Sequence, residues 1–137
     1  MISLQKPIYD FPPNYDALLK AFPAIKGKNV LFSYGNKLYN PGSIMVPEFL
    51  IVHEQTHGTR QVKDVEGWWE QYIADPEFRL EEELMAHYME QRFRLGLALN
   101  RRERRAILKQ TAERLASPIY GPVVGKKKAL ELLRRIG

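Results

Sequence analysis

The apolar positions of this chain follow two spacings, one typical of strands and one typical of helices. The strand-like part comes first: residues 30–34 form a β-prone run, Gly35 and Asn36 suit a turn, and residues 37–39 continue after it. A second turn then precedes residues 43–45. These runs predict a small antiparallel sheet of two or three strands.

Helical spacing begins after the sheet. Pro47 suits the first position of a helix, and the apolar Phe49, Leu50 and Val52 extend it to about Arg60. Proline breaks and helical periodicity predict five further helices, over residues 14–21, 67–73, 77–97, 100–116 and 126–136. The sequence therefore predicts an α+β fold and, since no repeat or linker indicates a boundary, a single domain spanning residues 1–137.

Three polar residues are predicted to cap helices. Asn14 stands before the first of them, and Asp75 is followed by Pro76, which suits the first helical position. Asn100 is followed three residues later by Glu103, the spacing of a capping box.

The helix after the sheet contains the clearest chemical signal of the chain, His53-Glu54-Gln55-Thr56-His57. Helical residues four apart differ by about 40° in azimuth and about 6 Å in rise, so both imidazoles face one point. Two neutral imidazoles are half of a tetrahedral zinc site. Glu54, one position round from His53, can reach a water molecule at the metal without being a ligand, as a general base must.

The spacing of residues leaves the third metal ligand open. The chain has no cysteine, so the ligand must be His, Asp or Glu. Arg60 and Lys63 stand where a longer histidine-rich zincin motif has glycine and its third histidine, which excludes that class. Asp64 and Glu66 follow the motif so closely that a loop or capping role is favoured. The other candidates are Glu81, Glu82, Glu83 and His87, and the apolar arc of their predicted helix is too broad to choose among them.

Together these residues resemble a compact gluzincin. The five-residue motif, followed after about 25 residues by Glu83 and then Ala86 on a second helix, is similar to minimal gluzincin domains and to metallopeptidases encoded by phages. The resemblance covers about residues 28–95. In that group a glutamate three residues before a small residue is the third ligand, which implies Glu83, with Glu82 and His87 as alternatives.

The resemblance implies a zincin-like fold and the activity of a zinc metallopeptidase. Its substrate would be a peptide or protein, bound along an edge strand of the sheet. Zinc lowers the pKa of its water ligand towards about 7, and Glu54 would move the water's proton to the leaving amine. His87 could donate a hydrogen bond to the oxyanion instead of binding the metal. Tyr34, Tyr72 and Tyr88 are further candidate donors, although a packing role is favoured for each.

Charge is unevenly distributed along the chain. Residues 61–91 contain two Lys and Arg against nine Asp and Glu, whereas residues 92–137 contain thirteen against three. The basic helical region 98–137 could bind nucleic acid, but no nucleic-acid-binding motif accompanies it, and its alternating apolar residues favour solvated helix faces. A nucleic-acid-binding or assembly module and a catalytically silent zinc-binding protein are the alternatives to a peptidase.

Two features bear on localisation. The N-terminal residues lack the charged start and apolar stretch of a secretory signal, and the apolar runs are far shorter than the roughly twenty residues that span a bilayer. Together with the absence of cysteine, they predict a soluble, cytoplasmic protein with no membrane partner. The sequence does not indicate the oligomeric state.

Overall fold

The computed structural model describes residues 2–121 and 123–136. These residues form six α-helices and a two-stranded sheet, which confirms the predicted α+β class. The helices are α1 (Tyr15–Ala21), α2 (Glu48–Gln61), α3 (Val65–Ala74), α4 (Pro76–Leu97), α5 (Arg101–Leu115) and α6 (Lys126–Ile136), and the strands are β1 (Phe32–Tyr34) and β2 (Lys37–Tyr39). Short 3₁₀ turns cover Pro23–Ile25 and Pro118–Tyr120. Among the described residues, every helix is too short or too polar to span a lipid bilayer.

The two strands pair antiparallel around a tight turn. Phe32 lies opposite Tyr39 and Tyr34 opposite Lys37. Gly35, in the turn, has a φ of 62°, a left-handed conformation that glycine adopts without a steric penalty. The predicted hairpin is therefore present, with the predicted turn residues.

The sequence predicted two or three strands, and the third would have covered residues 43–45. The structure contains no strand at these residues. The side chain of Asn40 binds the backbone of Ile44 through both its amide nitrogen, at 2.8 Å, and its oxygen, at 3.1 Å. These contacts occupy backbone groups that a strand would need. The N-terminal arm takes the free edge of β2 instead, because Ile8 forms an isolated parallel bridge with Tyr39.

Helix α2 lies close against the turn between β1 and β2. A Cβ atom at Gly58 of α2 would lie only 2.4 Å from the carbonyl oxygen of Gly35. The side chain of Gln61 accepts a hydrogen bond from Gly35 N at 2.7 Å and donates one to Ser33 O at 3.2 Å. The motif helix is thereby attached to β1 along the edge opposite β2.

This close approach predicts opposite effects for two glycine substitutions. Gly58→Ala is expected to lower the free energy of unfolding by about 1–3 kcal/mol, because the new methyl group would overlap backbone that cannot easily move. Gly96→Ala, where a Cβ meets nothing within 4 Å on α4, is expected to raise it by up to about 1 kcal/mol. Urea denaturation of both variants measures the difference, and a stabilised Gly58→Ala protein would contradict the packing described.

Helix capping follows the predictions at two positions and departs from them at two. Asp75 accepts hydrogen bonds from the first backbone amides of α4, and Asn100 accepts one from Glu103 N at 2.9 Å. Asn14 precedes α1, but its side chain makes no capping hydrogen bond. Pro47 has an extended ψ of 152° and caps α2 instead of forming its first residue.

Two apolar clusters stabilise the fold. The first lies among α1, the sheet and α3, and its buried members include Leu18, Phe22, Ile25, Phe32, Trp68 and Trp69. The second lies between α5 and α6 and contains Ala112, Leu115, Ala129 and Leu133. Helix α4 contacts α2, α3, α5 and α6. Helix α2, which contains the motif, and α4, which contains Glu81, Glu82 and Glu83, are therefore direct neighbours.

Candidate metal centre

The packing of α2 against α4 brings together three side chains from the sequence prediction. His53 and His57 extend from successive turns of α2, and their Nε2 atoms are 3.2 Å apart. Glu83 of α4 faces both, with Oε1 at 3.2 Å from His53 Nε2 and Oε2 at 3.0 Å from His57 Nε2. All three side chains are buried.

These distances fit a cation. Zinc bonds of 2.0–2.1 Å in a tetrahedral site separate neighbouring ligand atoms by about 3.3 Å, close to the spacing among these three residues. Glu83 Oε1 is buried and makes no hydrogen bond within the described residues. A buried acceptor without a donor is costly, and a metal ion would satisfy it. His53, His57 and Glu83 could therefore hold a metal ion.

Two further side chains hold these groups in orientation. Glu90, two turns after Glu83 on α4, lies 2.9 Å from His53 Nδ1 through Oε1, and its Oε2 accepts a hydrogen bond from Arg114 of α5. Because the carboxylate accepts the Nδ1 proton, His53 Nε2 is left free to bind a cation. Tyr72 donates its hydroxyl proton to Glu83 Oε2 at 2.7 Å.

Glu90→Gln is expected to weaken zinc binding by about 10–100-fold, because the amide no longer holds His53 as a carboxylate does. Isothermal titration with zinc measures the loss. Glu113→Gln, a substitution at an exposed position of α5, serves as the control and should bind zinc as the parent chain does. An unchanged zinc affinity in Glu90→Gln would show that Glu90 does not support metal binding.

The pKa values of His53 and Glu83 show that a metal ion would have to displace a proton from the cluster. Burial lowers the pKa of His53, but the adjacent carboxylates of Glu83 and Glu90, together with the charge of Glu54, outweigh burial and raise it to about 10. For Glu83, burial raises the pKa, but the nearby His57 and His53 outweigh burial and hold the pKa of this carboxyl group well below its usual range. Without a cation, the cluster therefore holds an imidazolium at His53 against an ionised Glu83.

Zinc binding is accordingly expected to release about one proton and to strengthen as pH rises. Below its pKa of about 10, His53 is protonated and must lose a proton before it can bind zinc. Each rise of one pH unit lowers the proton concentration tenfold, so zinc competes with protons ten times more effectively. Zinc affinity should therefore increase by about 100-fold between pH 6 and pH 8. Calorimetric titration in buffers of different ionisation enthalpy counts the released protons. A flat affinity over this range would contradict the protonated state of His53.

His87 lies in the same cluster but is not part of the group formed by His53, His57 and Glu83. Its Nδ1 lies 2.7 Å from the backbone carbonyl of Glu83, which can only accept, so Nδ1 carries the proton. Burial and the adjacent His53 lower the pKa of His87 to about 3, so the ring is neutral. Its Nε2 lies 3.4 Å from the hydroxyl of Tyr120.

His53, His87 and Glu90 form a second group that could hold a metal ion. The two groups share His53, and a neutral imidazole has one nitrogen lone pair, so it serves one group at a time. The guanidinium of Arg114 already binds Glu90 and opposes a second cation there. These contacts favour the group of His53, His57 and Glu83.

No protein-family model matches the chain, and neither a curated protein nor a solved structure matches it. The role of the site must therefore be inferred from its geometry.

Glu54 lies in the same cavity as the three candidate ligands, a space of about 270 Å³. Its carboxyl group is buried. Burial raises the pKa of Glu54, an effect that the nearby His53 and His57 partly offset. The carboxyl group therefore lines the same cavity as the three candidate ligands without belonging to either group that could hold a metal ion.

The remaining candidates lie elsewhere. Glu82 is buried and accepts hydrogen bonds from Arg60 and Trp68, and Glu81 is exposed. Asp64 caps α3 by accepting from Gly67 N at 3.0 Å, in agreement with the capping role favoured for it. Among these acids, Glu82 is therefore a structural residue that connects α4 to α2 and α3.

Of the three tyrosines considered from the sequence, Tyr72 alone is among the described residues that line the cavity. Tyr88 packs against the second apolar cluster, and Tyr34 packs against the first. Tyr72 lines the cavity, but its hydroxyl is bound to Glu83. Tyr120, which the sequence did not indicate, lines the cavity beside His87. Glu90 was also missed, although its spacing of seven residues places it on the same face of α4 as Glu83.

Proposed function

We propose that this chain is a zinc-dependent peptidase of gluzincin type that cleaves peptide bonds in peptides or proteins, with His53, His57 and Glu83 as the metal ligands. The observation that carries the proposal is the close approach of three side chains: the Nε2 atoms of His53 and His57 are 3.2 Å apart, and each lies 3.0–3.2 Å from one carboxylate oxygen of Glu83. The carboxyl group of Glu54 lies in the same cavity. A structural zinc site is usually closed by four protein ligands. Three ligands beside a cavity and an unattached acid favour a catalytic site.

A bound zinc ion would supply Lewis acidity, which acidifies water and polarises a carbonyl group. Glu54 takes a proton from the attacking water and transfers it to the amine that leaves. Its buried position suits both steps, because a raised pKa brings the carboxyl group closer to the pH at which it must accept and release a proton.

Two other parts of the cavity wall suit a peptide. Residues 30–32, which precede the point where Gln61 binds Ser33 O, line the cavity, so a substrate chain could lie along this segment and bond its backbone, as in strand addition. The hydroxyl of Tyr120 is the candidate donor to the developing oxyanion, since that of Tyr72 is already used by Glu83. A zincin-like reading of the sheet, α2 and α4 is part of this proposal.

The test is cleavage of an unfolded protein such as reduced casein by the full chain. We expect fragments to appear with zinc, to stop forming after 1,10-phenanthroline, and to form again when zinc is restored. Mass spectrometry of the fragments would locate the cleaved bonds. A chain that binds one zinc ion tightly and cleaves no peptide in such mixtures would be a zinc-binding protein without turnover.

A further inference from the structure

The outer face of α5 carries a row of cations. Arg101, Arg105 and Lys109 follow one another at intervals of four residues, Arg102 lies beside them, and all four residues are exposed. Residues four apart on a helix share a face, so these side chains form a row about 12 Å long. These four residues are called the α5 stripe below.

The α5 stripe has no acidic partner among the described residues. The lysines and arginines that form ion pairs there are Arg60, Arg114 and Lys128. Glu103, an acid in the first turn of α5, accepts a hydrogen bond from Leu99 N at 2.6 Å and lies about 160° round the helix from Arg105. Like charges four residues apart destabilise a helix. The stripe therefore adds repulsion to α5 that no ion pair of the described structure offsets.

The apolar residues of α5 and α6 are used in core packing. Ala112 and Leu115 of α5 are buried against Ala129 and Leu133 of α6 in the second apolar cluster. Helix α6, which contacts α5, adds further exposed cations, namely Lys126, Lys127, Lys128, Arg134 and Arg135. The alternation of apolar and basic residues in this region thus corresponds to a buried face and a basic outer face.

The chemistry of this outer face fits phosphate groups. The planar guanidinium of arginine binds phosphate oxygens through two parallel hydrogen bonds. One strand of DNA carries a charge about every 3.4 Å, so roughly three or four phosphates lie along the length of the stripe. We infer that the α5 stripe is a binding surface for double-stranded DNA, which contacts the phosphate backbone without reading the base sequence. This inference is independent of the proposed peptidase activity.

Other anionic partners fit the stripe less well. A helix that binds a lipid surface turns large apolar side chains towards the membrane, and α5 exposes none. Single-stranded nucleic acid is bound by stacking of its bases on aromatic side chains, and neither α5 nor α6 contains an aromatic residue. Neutral polar side chains help to read base edges and the 2′-hydroxyl groups of RNA. On α5 the exposed residue of this kind is Gln110, which already accepts a hydrogen bond from Arg94 at 2.9 Å.

The test is binding of the full chain to a fluorescent DNA duplex of about 25 base pairs, followed by anisotropy at several salt concentrations. Four phosphate contacts give a slope of about −3.6 in a plot of the logarithm of the association constant against that of the salt concentration. Binding should therefore weaken by about 150-fold or more between 50 and 200 mM salt.

Two quadruple variants locate the contact. The stripe variant carries Arg101→Gln, Arg102→Gln, Arg105→Gln and Lys109→Gln. It is expected to bind the duplex at least about 100-fold more weakly at 0.1 M salt, with a slope shallower by about 3.6. Since it loses like-charge repulsion, it should melt no lower than the parent chain. The single variant Arg105→Gln should make the slope shallower by about 0.9.

The control variant removes the same amount of charge elsewhere. It replaces four exposed lysines outside α5 and α6, through Lys6→Gln, Lys26→Gln, Lys28→Gln and Lys37→Gln. Its affinity for the duplex should stay within about tenfold of the parent affinity, because distant exposed charges are largely screened at this salt concentration.

The outcomes decide between this surface and its alternatives. Equal losses in the two quadruple variants would show that attraction depends on total charge, and a stripe variant that binds like the parent would show that DNA lies elsewhere. Either result overturns the inference. Tighter binding to single-stranded DNA of the same length, to duplex RNA or to vesicles containing phosphatidylserine would assign the stripe to another partner and would overturn it as well.

Discussion

Glu54→Gln is expected to reduce peptide hydrolysis by about 10²- to 10⁴-fold while leaving zinc binding largely unchanged. Glu54 lies in the cavity with the three candidate ligands but is not one of the residues grouped around the possible metal position. Glutamine has nearly the same shape and can fill the same space, but its amide cannot take a proton from water. Measurements of kcat/KM and of zinc affinity on the same preparation would test both halves of this expectation.

Glu48→Gln is the matched control, because Glu48 lies on the same helix at an exposed position in its first turn. It should cleave at the parent rate. If Glu54→Gln also cleaves at the parent rate, Glu54 has no part in the chemistry. If it loses zinc together with activity, Glu54 supports the metal and is not a general base.

Glu83→Gln is expected to weaken zinc binding by more than about 100-fold, the largest effect typical of a residue that only orients a ligand. The substitution removes the anionic charge that faces both His53 and His57. It should also abolish most of the rise in melting temperature that zinc produces, since that rise depends on affinity. Competition with a chromophoric chelator measures the first effect, and thermal unfolding with and without zinc measures the second.

Two neighbouring substitutions make this prediction specific. Glu82→Gln should keep zinc affinity and lower the free energy of unfolding by about 1–2 kcal/mol, because Arg60 and Trp68 lose their charged acceptor. His87→Gln should weaken zinc binding much less than Glu83→Gln does. A loss in His87→Gln as large as that in Glu83→Gln would make His87 the third ligand.

The parts of the fold that could be predicted depend on local chemistry. A cap such as Asp75 or Asn100 acts on amides two or three residues away, so the sequence alone contains the needed information. The same holds for the turn at Gly35 and for the spacing that places His53 and His57 on one face of α2. Asn14 shows the limit of the rule, because this residue is half-buried and its side-chain amide atoms have no hydrogen-bond partner in the described structure.

The parts that could not be predicted depend on contacts between distant segments. Ile8 pairs beside Tyr39 because the N-terminal arm returns to the sheet, which no local pattern indicates. Periodicity left the choice among Glu81, Glu82 and Glu83 open, since the packing of α4 against α2 decides which acid faces the histidines. Tyr120 reaches the cavity only because a turn near the C-terminus folds back over α4.

Glu90 lies between His53 and Arg114, so a hydrogen-bonded path runs from the motif helix through α4 to α5. A fragment ending after α4 would contain every candidate ligand, yet it would lack the guanidinium that binds the second oxygen of Glu90. The segment that contains all the candidate ligands therefore ends before Arg114, which is needed to orient them. In choosing where to truncate this chain, the basic C-terminal helices belong with the metal centre and not with a detachable tail.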